Sequence, residues 1–255
     1  MSEALLEATG ITIRFGGLVA LSEVDLQVAP SGITGLIGPN GAGKTTLFNV
    51  ITGLLQPNAG QVRYDGHDIV RWSPHRRGRA GIARTFQRLD LFVGMSVRDN
   101  LRAAYEASTS GGVFGRHARE GGEIVDALID RLDLSDIADR KAGTLSTGLG
   151  RMVELGRALC TRPRLLLLDE PSSGLDIGET EHFRDLLLEV TQADFLGRPA
   201  PAVLLVEHDV KLVMEVCRQI TVLEFGQRIA HGTPHEVRNN PAVVAAYLGE
   251  KSGAA

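Results

Sequence analysis

Gly38-Pro-Asn-Gly-Ala-Gly-Lys-Thr-Thr46 is the stretch on which the reading of this chain turns. The apolar run Ile33-Thr-Gly-Leu-Ile37 before it reads as a buried strand, and Leu47-Phe-Asn-Val-Ile51 after it opens a helix. Strand, glycine-rich loop and helix are the context in which the spacing GxxxxGK[ST] describes a phosphate-binding loop. The physics needs those residue types. Gly38, Gly41 and Gly43, with Pro39, Asn40 and Ala42 between them, let the backbone curl until several N–H groups face one anion, and the helix N-terminus adds positive potential. Lys44 is placed to reach the β- and γ-phosphates as a point charge, and Thr45, followed by Thr46, offers a hydroxyl to Mg²⁺. The stretch predicts a nucleoside triphosphate site.

Around that loop the composition is ordinary for a folded protein. Of 255 residues, 43% are hydrophobic and 23% charged, and the formal net charge of −4 gives no reason to expect nucleic acid as a partner. Only Cys160 and Cys217 occur, without CxxC spacing, so free thiols in a reducing compartment are expected. The beginning Met-Ser-Glu-Ala-Leu-Leu-Glu has no basic stretch leading into an apolar core, and no run approaches the ~18 apolar residues of a membrane span. The expectation is a cytoplasmic protein, held at a membrane only by other subunits.

Upstream of the loop, Ile11–Phe15 and Val24–Val28 alternate as half-exposed antiparallel strands do. Phe15 ends the first of them, either as a core or hairpin aromatic or as a ring that stacks on a base. Downstream, Gln61–Tyr64 and His67–Ile69 flank an Asp65-Gly66 turn. The basic run Arg71, Arg76, Arg77, Arg79, Arg84 and Arg88 reads as a solvated helix face followed by a strand, Gly81–Thr85. Residues 89–151 change character, with helical spacing at Val97, Leu101, Ala104 and Tyr105 and again at Ile124, Leu128, Ile129 and Leu132. The α/β pattern resumes with two apolar runs, Leu165–Leu168 and Val203–Val206, that read as buried parallel strands. A linker carrying Gly197 and two prolines separates them, and a hairpin near Ile220–Ile229 and a short helix over Pro241–Leu248 close the chain. The implied division is a nucleotide-binding α/β core over 1–88 and 152–238, a helical insert over 89–151, and a C-terminal helix and tail over 239–255.

The strand ends carry the chemistry. In an open parallel sheet, ligands lie beyond the carboxyl ends of the strands. Asp169, at the end of Leu165–Leu168, is placed to hold Mg²⁺, and Glu170 to polarise a water for attack on the γ-phosphate. His208, after Val203–Val206, can donate to the departing phosphate. A carboxylate pair after a strand is commonly a helix cap, and a lone histidine commonly structural. The phosphate loop in the same frame favours the catalytic roles.

Six motifs in order resemble the ATPase subunits of ATP-binding cassette (ABC) transporters over nearly the whole chain. They are the phosphate loop, Thr85-Phe-Gln87, Leu145-Ser-Thr-Gly148, Leu168-Asp-Glu-Pro171, Ser173-Gly-Leu-Asp176 and Glu207-His-Asp209. The resemblance implies an α/β P-loop NTPase fold with an N-terminal antiparallel β subdomain and a helical insert. It implies two cassettes sandwiching two ATPs, with Ser146 and Gly148 of one facing the γ-phosphate held by Lys44 of the other. It assigns Phe15 to adenine, counts Asp176 among the nucleotide-contacting residues, and has Gln87 sense Mg²⁺, the water and a transmembrane permease subunit. The signature departs from the family's Leu-Ser-Gly-Gly-Gln: Thr147 adds a side chain and Leu149 removes an amide, while Ser146 and Gly148 are kept.

Finer stretches, including Phe15-Gly-Gly-Leu18, Gly81-Ile-Ala-Arg-Thr-Phe-Gln87 and Tyr247-Leu-Gly-Glu250, are similar to the cassettes of high-affinity branched-chain amino-acid importers. That similarity implies permease subunits in the membrane, a second cassette that is either identical or a sister protein, and indirectly a solute-binding protein. A lipid or lipopolysaccharide exporter cassette and a non-transport cassette are the alternatives. The insert is too short and glycine-rich for the long coiled coil of chromosomal types, and Glu170 is not what a scaffold would keep.

Overall fold

The computed structural model describes residues 4–86, 89–109, 116–192, 194–195 and 197–252. They fall into two compact units, residues 1–80 with 202–255 and residues 81–201. The first unit opens with β1 (Leu6–Phe15), β2 (Leu18–Val28), β3 (Ile33–Ile37), α1 (Lys44–Thr52), β4 (Ala59–Tyr64), β5 (His67–Asp68) and α2 (Pro74–Arg79). The second holds β6 (Ile82–Arg84), α3 (Val97–Ser108), α4 (Arg116–Arg131), α5 (Thr147–Cys160), β7 (Leu165–Asp169), α6 (Ile177–Val190), β8 (Asp194–Phe195) and β9 (Arg198–Pro199). The chain then returns to the first unit as β10 (Ala202–Val206), α7 (Val210–Val216), β11 (Gln219–Glu224), β12 (Gln227–Gly232), α8 (Pro234–Arg238) and α9 (Pro241–Ser252).

In the first unit, an antiparallel sheet runs β2-β1-β4-β5. Its β1–β2 ladder pairs Leu6 with Val28 at one end and Phe15 with Leu18 at the other, with register shifts between Ala8 and Ile11, Ile11 and Ile13, and Ile13 and Arg14. These bulges let Ile11 and Ile13 join Leu21, Val24 and Leu26 in the core, all at most 1% exposed. The strands are longer than the alternating segments Ile11–Phe15 and Val24–Val28 because the bulges break the alternation.

A second set of strands runs β12-β11-β3-β10, with β3 parallel to both neighbours and β12 antiparallel at the edge. Every residue of β3 and β10 is buried, as continuous apolar runs in a parallel sheet require. Leu47, Phe48, Val50 and Ile51 of α1 are fully buried, each contributing about 1.5–3 kcal/mol by leaving water.

In the second unit, β6 and β7 are parallel. Helices α3, α4 and α5 pack on one another, α3 capped by Ser96, whose Oγ accepts from the Asp99 N–H. At Gly156 of α5 an added Cβ would stand 2.9 Å from Leu132 Cδ1, so the absence of a side chain sets how closely these helices approach. The linker with Gly197 contains the small antiparallel pair β8–β9, which the sequence reading treats as irregular. Among the described residues, no helix is long and apolar enough to cross a membrane.

Candidate functional site

The first unit brings the phosphate loop and His208 to one sheet edge. Parallel β3 and β10 are in register, Leu36 beside Val206, so Gly38 and Glu207-His208 leave their strands at the same end. Gly38 has φ +149, and a Cβ there would lie 2.0 Å from the Leu223 carbonyl oxygen. Gly43 has φ +102, and its Cβ would meet Leu21 Cδ2 at 2.6 Å. The loop thus fits against β2 and the end of β11 only without side chains. Helix α1 begins at Lys44 with no side-chain cap on its N-terminus and no acid in its first turn. Such an end suits an anion.

Lys44 is 6% exposed, and its Nζ donates to the Gly38 and Pro39 carbonyl oxygens at 2.6 and 2.9 Å. The ammonium is therefore held over the loop. Asn40, Gly41 and Thr45 are exposed, Pro39, Gly43 and Thr46 half-buried, and Ala42 buried, its N–H donating to Pro39 O at 3.2 Å. Phe15, at the end of β1, is 48% exposed, which removes the core reading and leaves an aromatic face on an open hairpin. His208 is exposed, its backbone N–H donating to Glu207 Oε2 at 3.1 Å, and Asp209 caps α7 through the Leu212 N–H.

The second unit holds the remaining candidates. Asp169 ends β7 at 2% exposure. Its Oδ2 accepts from Arg84 Nη2 at 2.8 Å, and its N–H donates to Thr85 Oγ1 at 3.4 Å. Glu170 follows in the left-handed region at φ +51, a conformation that costs a non-glycine residue about 1 kcal/mol. Asp176 is the N-cap of α6, with Oδ1 accepting from the Glu179 N–H at 2.8 Å and the Glu179 carboxylate closing the capping box. Ser146 is the N-cap of α5, its Oγ accepting from the Leu149 N–H at 3.3 Å, so the helix begins at Thr147. Gly148 is buried, and a Cβ there would meet Glu179 Oε1 at 2.2 Å. Gln87 lies outside the described residues, as does Arg88.

Several residues of this region carry no motif. Arg151 and Glu154 of α5 form an ion pair at 2.8 Å, 5% and 7% exposed. Together they hold both backbone groups of Phe86: its N–H donates to Glu154 Oε1 at 3.2 Å, and its carbonyl accepts from Arg151 Nη1 at 3.1 Å. Burial raises the Glu154 carboxyl above its ordinary value, against the opposing pull of Arg151. Arg157, three residues beyond Glu154 on the same helix, donates to the Asp90 carbonyl. The signature helix thus grips the chain on both sides of Gln87.

The basic run also differs from its reading. Arg71, Arg76 and Arg79 are exposed, but Arg77 is 1% exposed. Its guanidinium donates to the carbonyls of Trp72, Val50, Ile51, Ile69 and Val70, which closes the C-terminal end of α1. Burial draws its pKa down to about 10. Arg84, paired with Asp169, has a side chain 8% exposed. In a local pattern these arginines look like their solvated neighbours; only the tertiary partners distinguish them.

Known proteins share this fold. The family model for ABC transporters matches residues 21–173, and one for the branched-chain amino acid ATP-binding cassette transporter matches residues 227–252. The chain is 40% identical to the high-affinity branched-chain amino acid transport ATP-binding protein BraF of Pseudomonas aeruginosa, covering 98% of this chain and 100% of that protein. It is 38% identical to LivG of Escherichia coli, described in the same words, with the same coverage. The crystal structure of a nucleotide-free ATP-binding cassette from an ABC transporter superposes with a TM-score of 0.83 at 31% identity, covering 96% of this chain and 99% of that one. The chain therefore belongs to the ABC transporter family, as one of its ATP-binding, ATP-hydrolysing subunits.

Proposed function

We propose that this ATPase energises the import of branched-chain amino acids, or closely similar small polar solutes, through permease subunits at the cytoplasmic face of a membrane. The observation that carries the cargo class is the end-to-end similarity to branched-chain cassettes, reinforced by the separate match over residues 227–252. The division into a nucleotide-binding core over 1–88 and 152–238, a helical insert over 89–151 and a C-terminal tail over 239–255 belongs to this proposal. So do a second cassette, identical or a sister protein, and a solute-binding protein that delivers cargo.

In this reading the loop N–H groups and Lys44 bear the ATP phosphates, Phe15 the adenine, and Ser146 and Gly148 the γ-phosphate of the partner cassette's ATP. Thr45 and Asp169 would hold Mg²⁺, with Gln87 contributing. No cluster of three or more His, Cys, Asp or Glu side chains suited to a metal exists among the described residues. The donor set, one hydroxyl and one carboxylate, is of the kind Mg²⁺ takes, since it binds through one or two protein oxygens and otherwise through phosphate and water. Mg²⁺ would neutralise phosphate charge. Glu170 takes the proton from the attacking water, His208 donates to the departing phosphate, and Asp176 stands beside the site in its capping turn. ATP favours the closed pair of cassettes and hydrolysis reopens it, so the membrane helices see two states.

The test is uptake of labelled leucine by vesicles reconstituted with this chain, its permease subunits and its sister cassette if there is one. Uptake should require ATP and vanish with Lys44→Ala. ATP hydrolysis without leucine, isoleucine or valine uptake, but with movement of another solute or of lipid, would overturn the cargo assignment and leave the ATPase standing.

A further inference from the structure

We propose that Arg84 is a built-in counter-cation for Asp169, occupying the carboxylate that Mg²⁺ needs and thereby setting how much Mg²⁺ the nucleotide-bound cassette requires. The proposal rests on the reading of Asp169 as the metal-holding carboxylate. Asp169 is 2% exposed at the end of a strand whose every residue is buried. An unpaired carboxylate in such a place costs several kcal/mol. The molecule has an answer that does not involve a metal: Arg84 ends the neighbouring parallel strand β6 and reaches Oδ2 at 2.8 Å, with side-chain exposures of 8% and 3%.

Two cations cannot both hold that carboxylate at full strength. A metal arriving at Asp169 gains its attraction to the carboxylate only after Arg84 has shared or released it, and it meets the repulsion of a guanidinium in a poorly hydrated place. The ion pair therefore subtracts from metal affinity while it stabilises the metal-free cassette. Arg84 also has somewhere to go. Its guanidinium carbon already lies 5.1 Å from the centroid of the Phe86 ring, a cation–π contact that can hold the charge as the carboxylate turns away. Phe86 is the residue whose backbone Arg151 and Glu154 of α5 clamp. Metal loading at Asp169 would thus be felt at the segment held by the signature helix.

The test is a Mg²⁺ titration of fluorescent-ATP binding to the full chain, from EDTA to millimolar Mg²⁺, in the parent, Arg84→Gln and Arg84→Lys. Arg84→Gln should leave ATP affinity in EDTA within about twofold of the parent and lower the half-saturating Mg²⁺ by about five- to tenfold. Arg84→Lys, which keeps the charge, should stay within about twofold of the parent midpoint. A midpoint in Arg84→Gln that is unchanged or higher would overturn the proposal, since an Arg84 that merely positions Asp169 predicts weaker metal binding. The second measurement needs no charge-removing variant. The ion-paired Arg84 guanidinium signal of the parent, assigned by its loss in Arg84→Lys, should persist with ATP in EDTA and be lost on adding Mg²⁺. Persistence with Mg²⁺ would equally sink the idea. Failure of the parent to bind ATP at all would instead overturn the ATPase reading beneath it.

Discussion

At Gly38 an added Cβ would lie 2.0 Å from the Leu223 carbonyl oxygen, and because that obstacle is backbone, no rotamer change relieves it. Gly41, three residues on, has φ +78 but open space around its missing side chain. Gly38→Ala should therefore abolish ATP binding by displacing the loop, whereas Gly41→Ala should cost only the left-handed strain of about 1 kcal/mol and keep measurable binding. Equilibrium ATP binding checks both, and equal losses would mean that the loop is not shaped by its packing against β11. Arg77 is the second test at this scale. Arg77→Met takes the guanidinium donor from five carbonyls, of which Val50 and Ile69 keep backbone donors from Gly53 and Trp72, so it should lower stability by about 2–4 kcal/mol in urea unfolding. A change under ~1 kcal/mol would show that water replaces the guanidinium. Lys44 and the glycines were legible in the sequence because their meaning is local, a spacing within nine residues. Arg77 and Arg84 were not, because the same residue type in the same run is solvated at Arg76 and buried at Arg77, and only the carbonyls and carboxylate brought in by distant segments tell them apart.

Among the elements, α5 does two things with one sequence. Its first turn presents Ser146 and Gly148, and one face of its later turns presents Arg151, Glu154 and Arg157 to the chain around Gln87. Glu154→Ala takes the ion-pair carboxylate from buried Arg151 and releases the Phe86 N–H. Amide exchange at Phe86 should accelerate at least tenfold, with a stability loss of about 3 kcal/mol. Unchanged exchange at Phe86 would mean that the clamp holds nothing. The strand–loop–helix unit, the helices α3, α4 and α6 and the buried strands β7 and β10 could be read from periodicity, since each is long or uniformly apolar. The full lengths of β1 and β2 could not, because register shifts between Ala8 and Arg14 break the period-2 signal. The pair β8–β9 has strands of two residues each, shorter than any pattern can mark.

Over the whole molecule, each unit carries one buried free thiol, Cys217 in the first and Cys160 in the second. Burial pushes each up to about 12 from an ordinary value of 9.0. The folded state thus keeps its thiol protons where the unfolded state loses them, so stability should fall as pH rises from 9 towards 12, by up to about 1.4 kcal/mol per pH unit for each thiol. A thiol reagent at pH 8 should label neither cysteine in the native protein and both in denaturant; rapid native labelling would show that a unit opens. The most direct test of the account as a whole is equilibrium ATP binding and turnover by the parent, Lys44→Ala and Glu170→Gln proteins with Mg²⁺. Tight binding with turnover is expected in the parent, tight binding without turnover in Glu170→Gln, and neither in Lys44→Ala. A parent that fails to bind ATP, or a Lys44→Ala protein that binds it as well as the parent, would contradict it.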